Sequence, residues 1–408
     1  MALIVQKYGG SSVADADKIK NVAQRIAEAR DRGDQVVAVV SAMGETTDGL
    51  IDLADRVSEH PDVRELDVLL STGEVVSSTL LTMALHSMDY PAISLSGAQA
   101  GIRTDTAHSK ARILEIDPKR VRQEMEKGNI VIVAGFQGIT DELDVTTLGR
   151  GGSDTTAVAL AASLGAEVSQ IYTDVDGVYT ADPRIVPEAR NLRDIGYEEM
   201  LELASYGARV MHPRAVELGE LFDIPILVAS SFNKSPGTLI KREVTMEIRN
   251  KVRSIAHDLD VAKITVVGVP DRPGIASSIF VPLSISGVSV DTIVQNASIE
   301  NITDLTFTVV KTHLTAAMAV VEPIARSIGA RECLSDSRLG KVSIIGTGMQ
   351  DTPGYAARMF STLSDNNINI QLITTSEIRI TCIIDEVSVK DAVRFLHRAF
   401  ELEVEEEE

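Results

Sequence analysis

The stretch "VQKYGGSS" (residues 5–12) ends an apolar run in a lone Lys7, two glycines and two serines. It reads as a buried strand that stops at Lys7 and passes into a turn without bulky side chains. Small residues let backbone N–H groups approach a ligand, and a helix beginning at Val13 would aim its positive end at the same place. Lys7 adds a formal charge, so the segment suits a phosphate. The competing reading is a tight strand–helix turn with Lys7 on the surface. The segment is not a P-loop, because G-x-x-x-x-G-K-[ST] is missing from the chain.

Moving outward, Ile19, Val22, Ala23 and Ile26 fall at helical spacing, with Ser12 and Asp15 as a capping box. Apolar strand-like runs follow: "QVVAVVSAMG" (35–44), "NIVIVAGFQG" (129–138), "SQIYTDVDGV" (169–178) and "IPILVAS" (224–230). Continuous apolar strands separated by helices predict an α/β layer fold with a mainly parallel sheet over residues 1–243. Residues 244–261 read as a connector. Beyond it "DRPG" (271–274) is echoed by "DTPG" (351–354), each after a strand pattern and before a helical one. Two β-α-β-β-α-β, ferredoxin-like α+β domains are expected at 262–339 and 340–408, with an acidic tail at 404–408. Pro282 should shorten or kink the first repeat's helix.

The 408 residues suffice for two to three domains. A net charge of −20 argues against nucleic acid or an anionic membrane as partner, since both need clustered cations. No apolar stretch approaches the ~18–20 residues of a membrane span, and "ALIVQKY" lacks the basic flank and cleavage site of a secretory signal. Cys333 and Cys382 stand in no metal or redox spacing, which fits a reduced cytoplasmic setting. The histidines form no H-E-x-x-H pattern; His212, directly before Pro213, reads as a helix cap rather than a catalytic base.

Three further segments carry chemistry. In "TTLGRGGSDTTAVALAA" (146–162), Arg150 stands among Gly149, Gly151 and Gly152 at a helix start that Ser153 or Asp154 would cap. A forked guanidinium beside a helix N-terminus suits a carboxylate or a phosphate. In "YTDVDGVYTADPRI" (172–185), polar groups follow a buried strand, where α/β sheets bind ligands; Tyr179 could stack on a base and Arg184 reach phosphate. The EF-hand spacing and its terminal Glu are missing, which argues against calcium. "VVSAMGETTD" (39–48) and "STGE" (71–74) supply Ser41, Thr47 and Glu74, a set able to hold an ammonium and a carboxylate.

Together with "GFQGIT", "SYGARVMHPRAVE", "DRPGIA" and "TSEIRI", these stretches resemble the aspartate kinases of the amino-acid-kinase superfamily over essentially the whole chain. The resemblance implies a three-layer amino-acid-kinase fold followed by two regulatory ACT domains. It implies ATP-dependent phosphorylation of the β-carboxylate of L-aspartate, with Mg2+ held mainly by ATP and no direct protein ligand. Carried over, Lys7, Gly9, Gly10 and Ser11 face the phosphates. Ser41, Thr47, Glu74, Arg150, Gly151 and Ser153 hold aspartate, and Asp154 orients Lys7 or a magnesium-bound water. Thr173, Asp174, Tyr179, Arg184 and Lys234 line the nucleotide site, as does Arg209, which replaces the lysine usual in "GAKV". Lysine, threonine or both would act as effectors at Asp271, Gly274, Ile275, Gln295, Asn296 and Asp304 in one repeat and Asn369, Ile370 and Ser376 in the other. The assembly would be a homo-oligomer, or a hetero-oligomer with a C-terminal fragment starting at Met246. Two rivals keep the fold: a kinase of another amino acid or of carbamate, and a sensor with a dead kinase shell. The second needs losses at Lys7, Arg150 or Asp154, and all three residues are present.

Overall fold

Val36–Val40 and Ile130–Ala134 are apolar at every position, so as strands they must be covered on both faces. A computed structural model describes residues 2–207, 210–242, 252–296, 301–349 and 352–404, and both runs are central strands in it, fully buried. Arg209 and Met246 lie outside the described residues. The chain divides into two units, Met1–Tyr179 with Asn191–Ile248, and Thr180–Arg190 with Arg249–Glu408.

In the first unit the strands are β1 (Leu3–Tyr8), β2 (Gln35–Val40), β3 (Ala92–Leu95), β4 (Ile102–Thr104), β5 (Ile113–Ile116), β6 (Ile130–Ala134), β7 (Gln137–Ile139), β8 (Val145–Thr147), β9 (Val168–Thr173), β10 (Asp194–Gly196), β11 (Ile226–Ser230) and β12 (Thr238–Lys241). The helices are α1 (Ala16–Asp31), α2 (Thr46–Val57), α3 (Val63–His86), α4 (Lys119–Glu126), α5 (Gly152–Leu164), α6 (Tyr197–Ser205) and α7 (Pro213–Phe222). Among the described residues the main sheet runs β10-β12-β11-β9-β1-β2-β6-β3, and a smaller one runs β5-β4-β7-β8. The central neighbours β11, β9, β1, β2 and β6 pair in parallel. Ile4, Val36, Ala38, Ile130 and Ile132 pack with Ile19, Val22 and Ile26 of α1 and Leu81 and Leu85 of α3. Helix α5, rich in small residues, packs on β1, β2 and β9.

The ladder continues one residue beyond the strand ends. Gly9 N–H donates to Tyr172 O, Ser41 N–H to Tyr8 O, Gly135 N–H to Val40 O, and Ser231 N–H to Thr173 O. Four exit turns are thereby fixed side by side at the carboxyl edge, the usual ligand edge of such a sheet.

Several local expectations change. Helix α1 begins at Ala16, capped by Asp15, whose carboxylate accepts from Lys18 N–H; Gly10–Val13 is a separate 3-10 turn. The Ser12 hydroxyl does not join a capping box but donates to Ser231 Oγ at 2.7 Å. Helix α3, at 24 residues, is apolar enough by composition to cross a bilayer, contrary to the expectation that no such stretch exists; half of its most apolar window is buried within the protein.

The second unit contains β13 (Ser254–Pro270), α8 (Ile275–Ile285), β14 (Ile293–Gln295), β15 (Ile302–Val309), α9 (Leu314–Ser327), β16 (Glu332–Ile345), α10 (Tyr355–Asp365), β17 (Ile370–Thr375), β18 (Arg379–Asp385) and α11 (Val389–Ala399). Its sheet order is β14-β15-β13-β16-β18-β17. Each long strand serves both repeats. Lys263–Val267 pair with Glu332–Asp336, whereas Ser254–Asp258 pair with Lys341–Ile345. The second repeat is therefore closed by a strand upstream of the first, not by one after α11, where residues 401–404 form a turn. Residues 254–258, expected in the connector, are core sheet. Residues 180–190, expected in the catalytic domain, also belong here: Ala181, Ile185 and Val186 share a core with Ile344, Met359 and Leu396. Pro282 does not end α8, which runs on to Ile285.

Ile255 is 2% exposed in that core. Ile255→Ala should cost about 2–4 kcal/mol in urea unfolding of the second unit. An unchanged midpoint would mean the segment is a linker after all.

Candidate active site

Lys7 is the next-to-last residue of β1, and its parallel neighbours are Val39 and Ile171. Its stem is therefore walled by strands on both sides and its Nζ emerges at the sheet's edge. There Nζ lies 2.6 Å from Asp154 Oδ1, each side chain 11% exposed. Asp154 sits in the first turn of α5. That helix is capped by Gly151 at φ 69°, not by Ser153 or Asp154 as expected, which leaves both side chains available. A Cβ on Gly151 would lie 2.2 Å from His212 Cβ, so backbone conformation and space both require glycine there. His212 caps α7 by accepting from Arg214 N–H at 3.3 Å. Burial lowers its pKa, partly offset by the Asp154 charge, so it packs as a neutral scaffold.

The turn after β1 lies directly on the turn after β2: a Cβ on Gly10 would meet Ala42 O at 2.9 Å. At Gly9 the nearest atom to such a Cβ would be Lys7 Nζ, at 3.5 Å. Ser11 is half-buried in the 3-10 turn that follows. Behind this cradle stands Glu74. It does not end a run as expected but sits in the interior of α3, which comes so close that a Cβ on Gly73 would be 2.8 Å from Ala42 Cβ. Glu74 is 3% exposed, and its Oε1 accepts from Ala42 N–H at 3.1 Å. Its Oε2 is buried and has no hydrogen-bond partner among the described residues. Burial pushes its pKa up to about 7, against two backbone hydrogen bonds that favour the anion. An unpaired buried carboxylate oxygen is costly unless a cationic guest supplies its partner.

Ser41 leaves β2, and Thr47 stands half-buried in the first turn of α2. Ser153 packs under Gly135, where a Cβ would meet its Oγ at 2.8 Å. Arg150 is exposed between Gly149 and Gly151, both left-handed, and forms no ion pair among the described residues. Along the same edge, Thr173 ends β9 and its hydroxyl donates to Asp174 at 3.1 Å. Lys234 is exposed, 3.5 Å from Glu28 of α1. Its loop is tied down where Arg25 donates to Asn233 O and Asn233 to Asp176. Tyr179 is half-buried, its phenol pKa raised mainly by desolvation. Arg184 lies with the second unit and pairs with Asp182 at 2.8 Å.

Two features here escape sequence reading. Tyr8 and Tyr172 stack at 5.1 Å, with the Arg25 guanidinium 4.6 Å from the Tyr172 ring. Asp67, in the unremarkable run "RELDVLL", is fully buried and hydrogen-bonded. Gly135, directly after an apolar strand, is a signal that could have been read.

The effector candidates are scattered. Asp271 is exposed, its N–H donating to Asn301 O at 2.7 Å. Gly274 caps α8 at φ 94° as Gly354 caps α10 at φ 114°, while Ile275 is core. Gln295 and Asn296 are exposed at the end of β14. The Asp304 carboxylate accepts from Gly268 N–H at 2.8 Å, beside a β-bulge, and so serves the backbone. Asn369 and Ile370 enter β17 whereas Ser376 leaves it, about 20 Å away along an extended strand, so the three form no single site within one chain.

A cation stands at the mouth of a parallel sheet, with glycine turns beneath it and a buried carboxylate behind it, an arrangement suited to small charged ligands. The amino acid kinase family matches residues 2–230, and ACT domains match residues 263–325 and 342–400. The chain is 51% identical over 404 residues to an aspartate kinase of Stutzerimonas stutzeri, spanning 99% of this chain and 98% of that one. It is 49% identical to an aspartokinase of Thermus thermophilus over 99% of this chain and all of that one. Among solved structures, aspartate kinase from Synechocystis aligns at 46% identity and TM-score 0.55, covering 98% of this chain and 70% of that one. E. coli aspartokinase III in complex with lysine and aspartate aligns at 25% and 0.75, covering 98% and 99%. The chain belongs to the aspartate kinases of the amino acid kinase family, and it is a phosphotransferase.

Burial pushes the Glu74 carboxyl up to about 7 in the folded protein, above the ordinary value of 4.5, so its contribution to stability falls as pH rises from about 4.5 to 7. Glu74→Gln should therefore gain roughly 1–3 kcal/mol at pH 8 and little at pH 4.5. Thermal melts of both proteins at the two pH values check this; equal differences would refute it.

Proposed function

We propose that the first unit transfers the γ-phosphoryl group of ATP to the β-carboxylate of L-aspartate, giving 4-phospho-L-aspartate, the entry to lysine, threonine and methionine synthesis. The observation that carries this reading is the opposition of two charges at one sheet edge: Lys7, held by Asp154, and Glu74, whose second oxygen awaits a donor. The nucleophile is already ionised at neutral pH, so no general base is needed. The obstacle is that two anions must meet while charge spreads over the phosphoryl oxygens. Lys7 and the N–H groups around Gly9, Gly10 and Ser11 would stabilise that charge in a site that excludes water. Glu74 would take the substrate ammonium, with Ser41 and Thr47 beside it. Arg150, Gly151 and Ser153 would take the α-carboxylate, fixing the β-carboxylate for in-line attack.

Thr173, Asp174, Tyr179 and Lys234 would flank the nucleotide. Among the described residues no group of three or more His, Cys, Asp or Glu side chains gathers as a metal cage. Mg2+ would be carried mainly by the nucleotide's phosphates, with Asp154, paired to Lys7, close by. When bound, the ion neutralises phosphate charge.

The second unit would sense lysine, threonine or both. The lysine in the E. coli complex and the paired ACT repeats support that assignment. The enzyme would act as a homo-oligomer or together with a C-terminal fragment from Met246, in the cytoplasm, where Cys333 and Cys382, both unpaired, stay reduced.

ATP- and aspartate-dependent hydroxamate formation tests the reaction, and titrating each effector into it tests the sensor. Lys7→Ala should lower kcat by about 10²–10³ with aspartate KM changed far less. Wild-type kcat in that variant would remove Lys7 from the mechanism. Flat titrations with both amino acids would reject the sensor.

A further inference from the structure

We infer that Asp67 is a positioning residue that sets the span of the aspartate clamp, holding the Arg150 turn at a fixed distance from Glu74. This rests on the proposed roles of those two residues. Asp67 lies on α3 two turns before Glu74, so one rigid helix carries both, about 10 Å apart along its axis. Its side chain is fully buried, and both carboxylate oxygens are hydrogen-bonded. Ser109 N–H donates to both carboxylate oxygens, at 3.1 and 3.0 Å. Thr147 Oγ1 donates to Oδ1 at 2.5 Å, and His108 Nδ1 lies 2.8 Å from Oδ2. A saturated buried carboxylate gains little net stability over an apolar residue of similar volume, so what it secures is geometry.

The geometry it secures leads to Arg150. Thr147 ends β8, three residues before Arg150. Its carbonyl accepts from Ala111 N–H at 2.9 Å, which ties the 108–111 loop to the same strand end. That loop supports the turn from below: a Cβ on Gly149 would sit 3.1 Å from Ser109 O. Arg214 closes the arrangement by donating to Leu148 O at 2.8 Å and Ala111 O at 3.0 Å. Ser109 adopts φ 65°, a left-handed conformation unfavourable for a residue with a Cβ, while presenting its N–H to Asp67. The strain is maintained where the clamp is anchored. Asp67 touches neither reactant; it acts through Thr147, the loop and the Gly149–Gly151 turn.

A double-mutant cycle reads this directly. Asp67→Asn should raise aspartate KM at least about tenfold, with kcat and ATP KM within about threefold of wild type. In an Arg150→Ala background the same substitution should change aspartate KM by less than about twofold, because the group it positions is gone. A merely structural role predicts losses in kcat and both KM values together, in either background. Should Asp67→Asn fail to fold, Thr147→Val removes one of its donors and enters the same cycle. An unchanged aspartate KM in the Asp67 or Thr147 variant, or full additivity with Arg150→Ala, overturns the inference. Arg150→Ala without effect on aspartate KM instead overturns the role assigned to Arg150, a separate and recognisable failure.

Discussion

Everything at the carboxyl edge depends on holding one ammonium group aimed in a place with little water. Lys7 meets that requirement because its stem is fixed in a strand with neighbours on both sides and its head rests on Asp154. The Asp154 carboxylate at 2.6 Å gives the ammonium a fixed partner at the sheet edge. The partner is delivered by the first turn of a helix whose cap is a glycine. The backbone bonds that run one residue past the strand ends hold the glycine turns around this pair. Catalysis by positioning needs that rigidity, since a phosphoryl group in flight offers little covalent chemistry to assist.

Glu74 is the counterpart, and it shows the cost of preparing a site. Its Oε2 is buried and has no protein donor among the described residues. The fold tolerates this because Ala42 N–H satisfies the other oxygen and because α3 is long and well packed. A buried acceptor left in this state is costly, and a donor able to reach it would gain from pairing with it.

Much of this is legible in the sequence, for stated reasons. Lys7 and the Gly9–Gly10 turn can be read because a buried strand that ends in a cation and glycines has few other uses. The parallel sheet follows from strands apolar at every position. Glu74 is legible as a residue but not as an environment: nothing in "STGE" reveals that it faces inward from the middle of a helix. Asp67 is invisible, because one acid in "RELDVLL" looks like any solvated helix face; its burial depends on a loop some forty residues on. The placement of residues 180–190 and 254–258 is equally hidden. Both depend on which remote segments supply their neighbours, and local pattern does not encode that.

The two long strands β13 and β16 carry a consequence for how the C-terminal half can be cut, copied or inherited. The second repeat takes its edge strand, Ser254–Asp258, from sequence upstream of the first, so it is not a cassette that could be excised on its own. A chain initiated at residue 262 would leave one sheet missing an edge and expose a hydrophobic face. One initiated at Met246 keeps Ser254–Asp258 and with it a complete pair. Genetic rearrangement in this region is confined to moving both repeats together, and the boundary of any viable fragment is dictated by strand pairing rather than by where the repeat begins in the sequence.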